Sequence, residues 1–156
     1  MFKEERALKL STKGRYGARA MLDLALHADG EKKPVLLRDI AERQDISDKY
    51  LEHIFTPLRR AGLVRGVRGA RGGYFLAKAP AKIKLLEILY ALEGSLAPVA
   101  CLDDKKFCSR AEACVTQEIW LKLQKTIEKV LGSITLQDMV KRARVKGQAG
   151  GLTYNI

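Results

Sequence analysis

Between Leu36 and Leu76 the apolar residues fall into two helical registers followed by a strand-like stretch. Leu37, Ile40 and Ala41 recur at helical spacing, polar turn residues follow, and Leu51, Ile54, Phe55 and Leu58 recur at i, i+3, i+4 and i+7. Two short helices joined by a tight turn are expected. Ser47 stands just before the second run, where a hydroxyl accepts a hydrogen bond from an unpaired backbone amide and starts a helix. Asp45 lies in the turn, a place that often needs positive φ, which aspartate tolerates better than most residues. Thr56-Pro57 falls inside the second run, and proline there removes an amide donor and crowds the carbonyl of His53. A kink or early break near His53 follows.

Leu63 and Val64, then RGVRGARGG, then Tyr74, Phe75 and Leu76 read as two short strands around a Gly-rich arginine tip, a wing. Upstream, Leu10 to Ala28 is a helix opened by Ser11 or Thr12, with Tyr16, Ala20, Met21, Leu24 and Ala25 as its buried stripe and Asp29-Gly30 as its close. Downstream, LLEILYAL is almost continuously apolar and needs cover on more than one side, which a second subunit could provide. From Val115 to Ile134, Trp120, Leu123, Ile127, Val130 and Ile134 are spaced 3, 4, 3 and 4, the rhythm of a seam between helices. Such a stripe packs either on its own chain or on a second copy. A dimer is preferred because the front half already makes a compact three-helix module. Thr135 to Arg142 reads as a short capped helix. The expected fold is mainly α with a small β-wing: a winged helix-turn-helix over residues 1–80, dimerisation helices around a cysteine loop over 81–142, and a flexible tail over 143–156.

Charge turns this outline towards nucleic acid. The net charge is +11, with 17 basic and 10 acidic residues up to Pro80 and 12 against 8 beyond it. A basic front half seeks DNA or an anionic membrane, and aromatics at 6% make the membrane the weaker option. No stretch approaches the roughly 20 apolar residues of a span, and MFKEERALKL has no apolar core resembling an export signal, so a cytoplasmic protein is expected. On the second helix the outward residues Asp48, Lys49, Glu52, His53 and Arg60 can reach base edges or phosphates in a major groove. Five arginines and no acid lie between Arg59 and Arg71, and the always-charged guanidinium of Arg68 or Arg71 suits phosphate and narrow minor grooves. Lys13 and Arg38 add cations. Lys13, Arg15 and Arg19 share the start of the first helix, whose free amides would attract phosphate. A two-fold dimer on double-stranded DNA would set two readers about 34 Å apart on a palindromic site.

All three cysteines, Cys101, Cys108 and Cys114, lie in ACLDDKKFCSRAEAC, with six and five residues between them. An odd count without an export signal makes a disulfide framework unexpected, and clustered thiolates suit iron-sulfur clusters, zinc or copper. Zinc is the weaker reading, since no C-x-x-C is present. Gln117 and Glu118 stand one helical turn beyond Cys114 and can face the same site. No nucleophile-base-orienter set or phosphate loop is visible, so an enzyme is not expected.

KLSTKGRYG, DIAERQDIS, KYLE, LRRAGLV, RGGY, the cysteine loop before a Trp-containing helix, and ITLQDMV together resemble the Rrf-two family of bacterial transcription regulators, in its IscR-like branch of iron-sulfur cluster regulators. The likeness spans residues 8 to 142. It implies a winged-helix dimer that binds a 2Fe-2S cluster through the three cysteines and represses cluster-assembly operons, with Ser47, Tyr50, Glu52 and Arg68 touching DNA. Three positions depart from the pattern. A histidine three residues after the last cysteine is replaced by Gln117, the first cysteine spacing is one residue longer, and Asp45 replaces a glycine. A nitric-oxide-sensing relative uses an acid near the start of its first helix, where Arg15 stands here. The alternatives are that relative's function, redox sensing in the same family, or an iron-sulfur carrier that happens to be basic.

Overall fold

The computed structural model describes residues 9–69 and 72–150, with side chains through Gly147. Six helices, α1 (Thr12–His27), α2 (Leu37–Gln44), α3 (Asp48–Arg60), α4 (Leu85–Glu93), α5 (Val115–Ser133) and α6 (Leu136–Gly150), accompany a two-stranded sheet of β1 (Val64–Val67) and β2 (Gly73–Leu76). The fold is mainly helical with a small β-wing. Leu51, Ile54, Phe55 and Leu58 of α3 are fully buried against Ala20, Met21 and Leu24 of α1 and Ile40 of α2. Each such large aliphatic or aromatic side chain contributes roughly 1.5–3 kcal/mol. Asp45 ends α2 at φ 53°, ψ 50°, the left-handed conformation its place in the turn calls for, and its N–H donates to Ala41 O.

In the wing, Val64 opposes Leu76 and Val67 opposes Gly73. Val35 joins as a one-residue bridge, exchanging bonds of 3.0 and 2.8 Å with Tyr74. The bridge requires Gly73, because a Cβ there would lie 2.6 Å from Val35 O. Tyr74 then packs on Phe55 at 4.6 Å between ring centroids, so the wing is pinned to the back of α3.

Two expectations need correcting. Pro57 does not break α3, which continues to Arg60. The proline sits late in the helix and removes one ladder bond, while buried Leu58 and the Ala61 N–H on Pro57 O, 3.0 Å away, hold the last turn. Residues 143–150 are not a tail: α6 runs on to Gly150, because Leu136, Val140 and Ala143 form one buried stripe that outweighs the glycine at 147. Residues 151–156 lie outside the described ones. As expected of so apolar a helix, α4 is covered on more than one side: α1, α3 and α5 pack on it, and Ile88, Leu89 and Leu92 are buried.

The core therefore runs across Pro80. Ile83, Ile88, Leu92, Leu136 and Val140 belong to the same buried cluster as α1 to α3. Gly17 permits this closeness, as a Cβ there would stand 2.0 Å from Leu92 Cδ1.

Carboxylates start both α4 and α6. Glu87 accepts Lys84 N–H at 2.8 Å, and Asp138 accepts Thr135 N–H at 2.9 Å and its hydroxyl at 2.8 Å. These backbone bonds come first among the causes that lower both pKa values below their ordinary 4.5 and 3.8. The stabilisation is thus complete above those values and is lost as pH falls through the depressed folded ones. Glu87→Gln and Asp138→Asn should flatten the acid limb of a stability-against-pH curve measured by urea unfolding. An unchanged acid limb would count against the capping role.

Candidate nucleic-acid interface and cysteine loop

The first turn of α3 is built by Ser47, whose Oγ accepts Tyr50 N–H at 3.2 Å. From that start Asp48, Lys49, Glu52, His53 and Arg60 project into solvent, all exposed as the outward pattern requires, while Tyr50 is half-buried. Arg38 is exposed on the first turn of α2, and Arg68 is exposed at the wing tip beside Gly69. Arg71 lies outside the described residues. A shallow cavity of about 270 Å³ is lined by Leu37, Arg59, Gly66, Val67, Arg68, Gly72, Gly73 and Tyr74. It brings the end of α3, the start of α2 and the wing to one concave face carrying two guanidinium groups, and it adds Arg59, which the arginine run by itself does not distinguish from its neighbours. Arg65 is held aside, 3.1 Å from Glu31 and over the Phe75 ring.

At the start of α1 one backbone amide and the capping serine are already partnered. Gly14 N–H donates to Ser11 Oγ at 3.0 Å, and Ser11 N–H and Oγ donate to Glu93 Oε1 at 2.9 and 2.6 Å. A carboxylate from the end of α4 already stands against the positive end of the helix. Lys13 is half-buried beside it.

The cysteine loop leaves α4 at Gly94 and returns at α5. Cys101 lies in a 3-10 turn (Ala100–Leu102), Cys108 just before the turn at 109–110, its carbonyl accepting Ala111 N–H at 3.3 Å, and Cys114 caps the start of α5. All three thiols are free and half-buried. The Cys114 pKa is lowered below 9.0, first by the hydroxyl of Thr116, 3.2 Å away, and then by the backbone N–H of Gln117, which favours the thiolate that binds metal. Gln117 Nε2 donates to Cys101 O at 3.3 Å, tying the two ends of the loop together. Among the described residues no three His, Cys, Asp or Glu side chains converge as metal ligands. The donor set is chemically right for an iron-sulfur centre, and the loop must draw in for the three sulfurs to share one.

Residues 10–142 match a family described as Rrf2, iron-dependent transcriptional regulator. The chain belongs to the Rrf2 family. A regulator named IscR from Xenorhabdus nematophila is 42% identical over 88% of this chain and 82% of its own. Among solved structures, T. potens IscR is 50% identical, covers 86% of this chain and 88% of its own, and superposes with a TM-score of 0.68. The B. subtilis global cysteine regulator CymR is 39% identical over 86% of this chain and 97% of its own, also at a TM-score of 0.68. These relatives are transcriptional regulators and not enzymes, and so is this chain.

In this Rrf2 regulator the residues that fix the end of α2 against α1 are ones the sequence pattern does not single out. Asp23 of α1 is 2% exposed and accepts Arg43 Nη2 at 2.7 Å, Arg43 Nε at 3.1 Å and Gln44 Nε2 at 2.8 Å. This clamp joins α1 to the last turn of α2. The available signal is an acid between Met21 and Leu24, on the stripe otherwise given to the core.

The seam on α5 divides. Trp120, Leu123, Ile127 and Ile134 are half-buried, and α5 packs on α4 with Tyr90 Oη donating to Glu128. Val130 stays exposed at 54%, as do Val115, Ile119 and Leu121. No helix among the described residues is long and apolar enough to cross a membrane.

Proposed function

We propose that this Rrf2 regulator is a cytoplasmic homodimer that binds palindromic double-stranded DNA and acts as a repressor, with cluster-assembly genes as its targets and an iron-sulfur cluster of the 2Fe-2S type as its signal. Ser47, Lys49, Tyr50, Glu52, His53 and Arg60 would contact DNA from α3, Arg38 from α2, Arg68 and Arg71 from the wing, and Lys13 from α1. Cys101, Cys108 and Cys114 would hold the cluster. When bound, a cluster supplies an oxygen-labile tie across the loop. The observation that carries the reading is that every thiol of the chain lies free on one loop that begins directly after Glu93, the residue bonded to the start of α1.

That bonding supports coupling. A loop held by the three cysteines to a cluster would bear on Gly94 and so on the Glu93 to Ser11 bonds, which fix how α1 sits behind α3. The exposed apolar residues of α5 support a second copy of the chain as its cover. A second reading rests on the likeness to CymR: the same DNA-binding frame answers a signal other than a cluster.

Protein purified without oxygen should be coloured and carry iron and sulfide, and a Cys101→Ser, Cys108→Ser, Cys114→Ser variant should carry neither. Loaded and apo protein should then differ in affinity for DNA selected from a random pool. Colourless, iron-free protein that still selects DNA would favour the CymR-like reading. Equal affinity of the two forms on every selected sequence would remove the cluster as the signal.

Glu52 should contribute choice rather than strength. An acid on a DNA-facing helix accepts from a cytosine amino group and repels other edges, so Glu52→Ala should broaden the selected sequences with little loss of affinity. A pool as narrow as the wild type's would refute this.

A further inference from the structure

Of the cations on the first half of α1, Arg19 turns inward. Its Nε donates to Gln44 Oε1 at 3.2 Å and its Nη2 to Gln44 O at 2.7 Å. The guanidinium carbon lies 5.2 Å from the Tyr16 ring centroid, nearer than that of Arg15 at 5.9 Å, and Tyr16 in turn meets Tyr50 edge-on, with centroids 6.0 Å apart and planes at 87°. Gln44 is the last residue of α2, adjoins the left-handed Asp45, and is held on its other side by buried Asp23. One arginine thus spans the turn and the first turn of α3: the fork fixes where α2 ends, and the stacked ring fixes the side of Tyr50.

We infer that Arg19 is a specificity-determining positioning residue, acting on the base-reading end of α3 through Tyr16 and Tyr50 without touching DNA. The inference rests on the reading of α3 as the DNA-contacting helix. The fork makes the role specific to arginine. A lysine at the same place keeps the positive charge but lacks the planar fork that donates to both the side-chain and backbone oxygens of Gln44 while its centre stands over the Tyr16 ring. Tyr50, half-buried and cross-braced, loses its fixed direction when Tyr16 is free to turn, and a misdirected side chain costs base discrimination before it costs phosphate attraction.

The test uses the full chain, a duplex recovered by the wild type from a random pool, and a scrambled duplex of the same composition. Binding is followed by fluorescence anisotropy over a salt series. Arg19→Lys and Arg19→Gln should each lower the ratio of selected to scrambled affinity by about tenfold, the size of one base contact, with the salt slope unchanged. Tyr16→Phe, which keeps the ring, should behave as wild type, and Tyr16→Leu should behave as Arg19→Lys. On a Tyr50→Ala background, Arg19→Lys should have no further effect on the ratio, which a general loss of stability would not reproduce. A direct phosphate role predicts the opposite pattern: Arg19→Lys nearly silent, Arg19→Gln weakening both duplexes alike, and the slope falling by about 0.9 per phosphate. That pattern, or an unmoved ratio in Arg19→Lys, overturns the inference while leaving the DNA reading intact. A wild type that selects no sequence overturns both.

Discussion

Arg43→Ala should lower the stability of the fold by about 3 kcal/mol, and Asp23→Ala by less, about 2 kcal/mol. The asymmetry follows from where each partner lies. The Asp23 side chain is 2% exposed, whereas that of Arg43 keeps 34% of its surface in solvent. Removing the arginine strands a carboxylate in the interior with Gln44 as its main remaining donor and His27 Nδ1 at 3.5 Å. Removing the aspartate frees a guanidinium that can swing into water, so the cost is reduced to the broken hydrogen bonds. The partial exposure of Arg43 also puts its loss at the low end of what breaking a buried pair costs. For a chain of this length about 3 kcal/mol corresponds to a fall of roughly 6–12 °C in Tm. The double variant should lose less than the sum of the two single losses, because the second substitution removes a group already left without its partner. Urea unfolding of the four proteins measures this directly. Additive losses, or a costlier Asp23→Ala, would mean that the clamp does not hold α2 to α1 in the way its geometry implies.

The same clamp illustrates what a sequence conceals. Apolar stripes are legible because period alone exposes them: Leu51, Ile54, Phe55 and Leu58 are all fully buried, and Ser47 caps α3 where a hydroxyl before an apolar run should. Asp45 can be placed in a left-handed turn for the same reason of local chemistry. Partnerships across 20 or more residues have no such signature. Asp23 with Arg43, Arg19 with Gln44, and Glu93 with Ser11 each join elements whose adjacency the fold alone creates. The end of α6 is hidden differently, since glycines at 147 and 150 read locally as breakers, while Val140 and Ala143 extend a buried stripe that makes helix the better state. Of the candidate site, the exposed face of α3 and the clustering of thiols are legible from spacing. The capture of the α1 start by a carboxylate is not, because nothing near Lys13 in the chain carries that acid.

Raising salt from 50 to 200 mM should cut affinity for a selected operator by about 10³ to 10⁵ if a dimer neutralises on the order of 6 to 10 phosphates. The basis is the surface, not the net charge alone. Lys49, Arg59, Arg60 and Arg68 are exposed around α3 and the wing, and two of them line one concavity, so counterions released from a bound backbone come from a compact patch. Arg68→Ala should weaken every sequence alike and reduce the slope of log K against log salt by about 0.9 for each phosphate no longer neutralised, or nearly 2 for two wings. Glu52→Ala should leave that slope where it was, because an acid neutralises no phosphate. The two substitutions therefore separate anchoring from choice on one titration: the wing arginine moves the slope and spares the ranking of sequences, and the helix acid does the reverse. If affinity proves flat across the salt range, the basic face is a solvated surface and DNA is not its main ligand. If Arg68→Ala instead reorders the preferred sequences, the wing reads groove shape as well as charge, and the division between wing and helix must be redrawn.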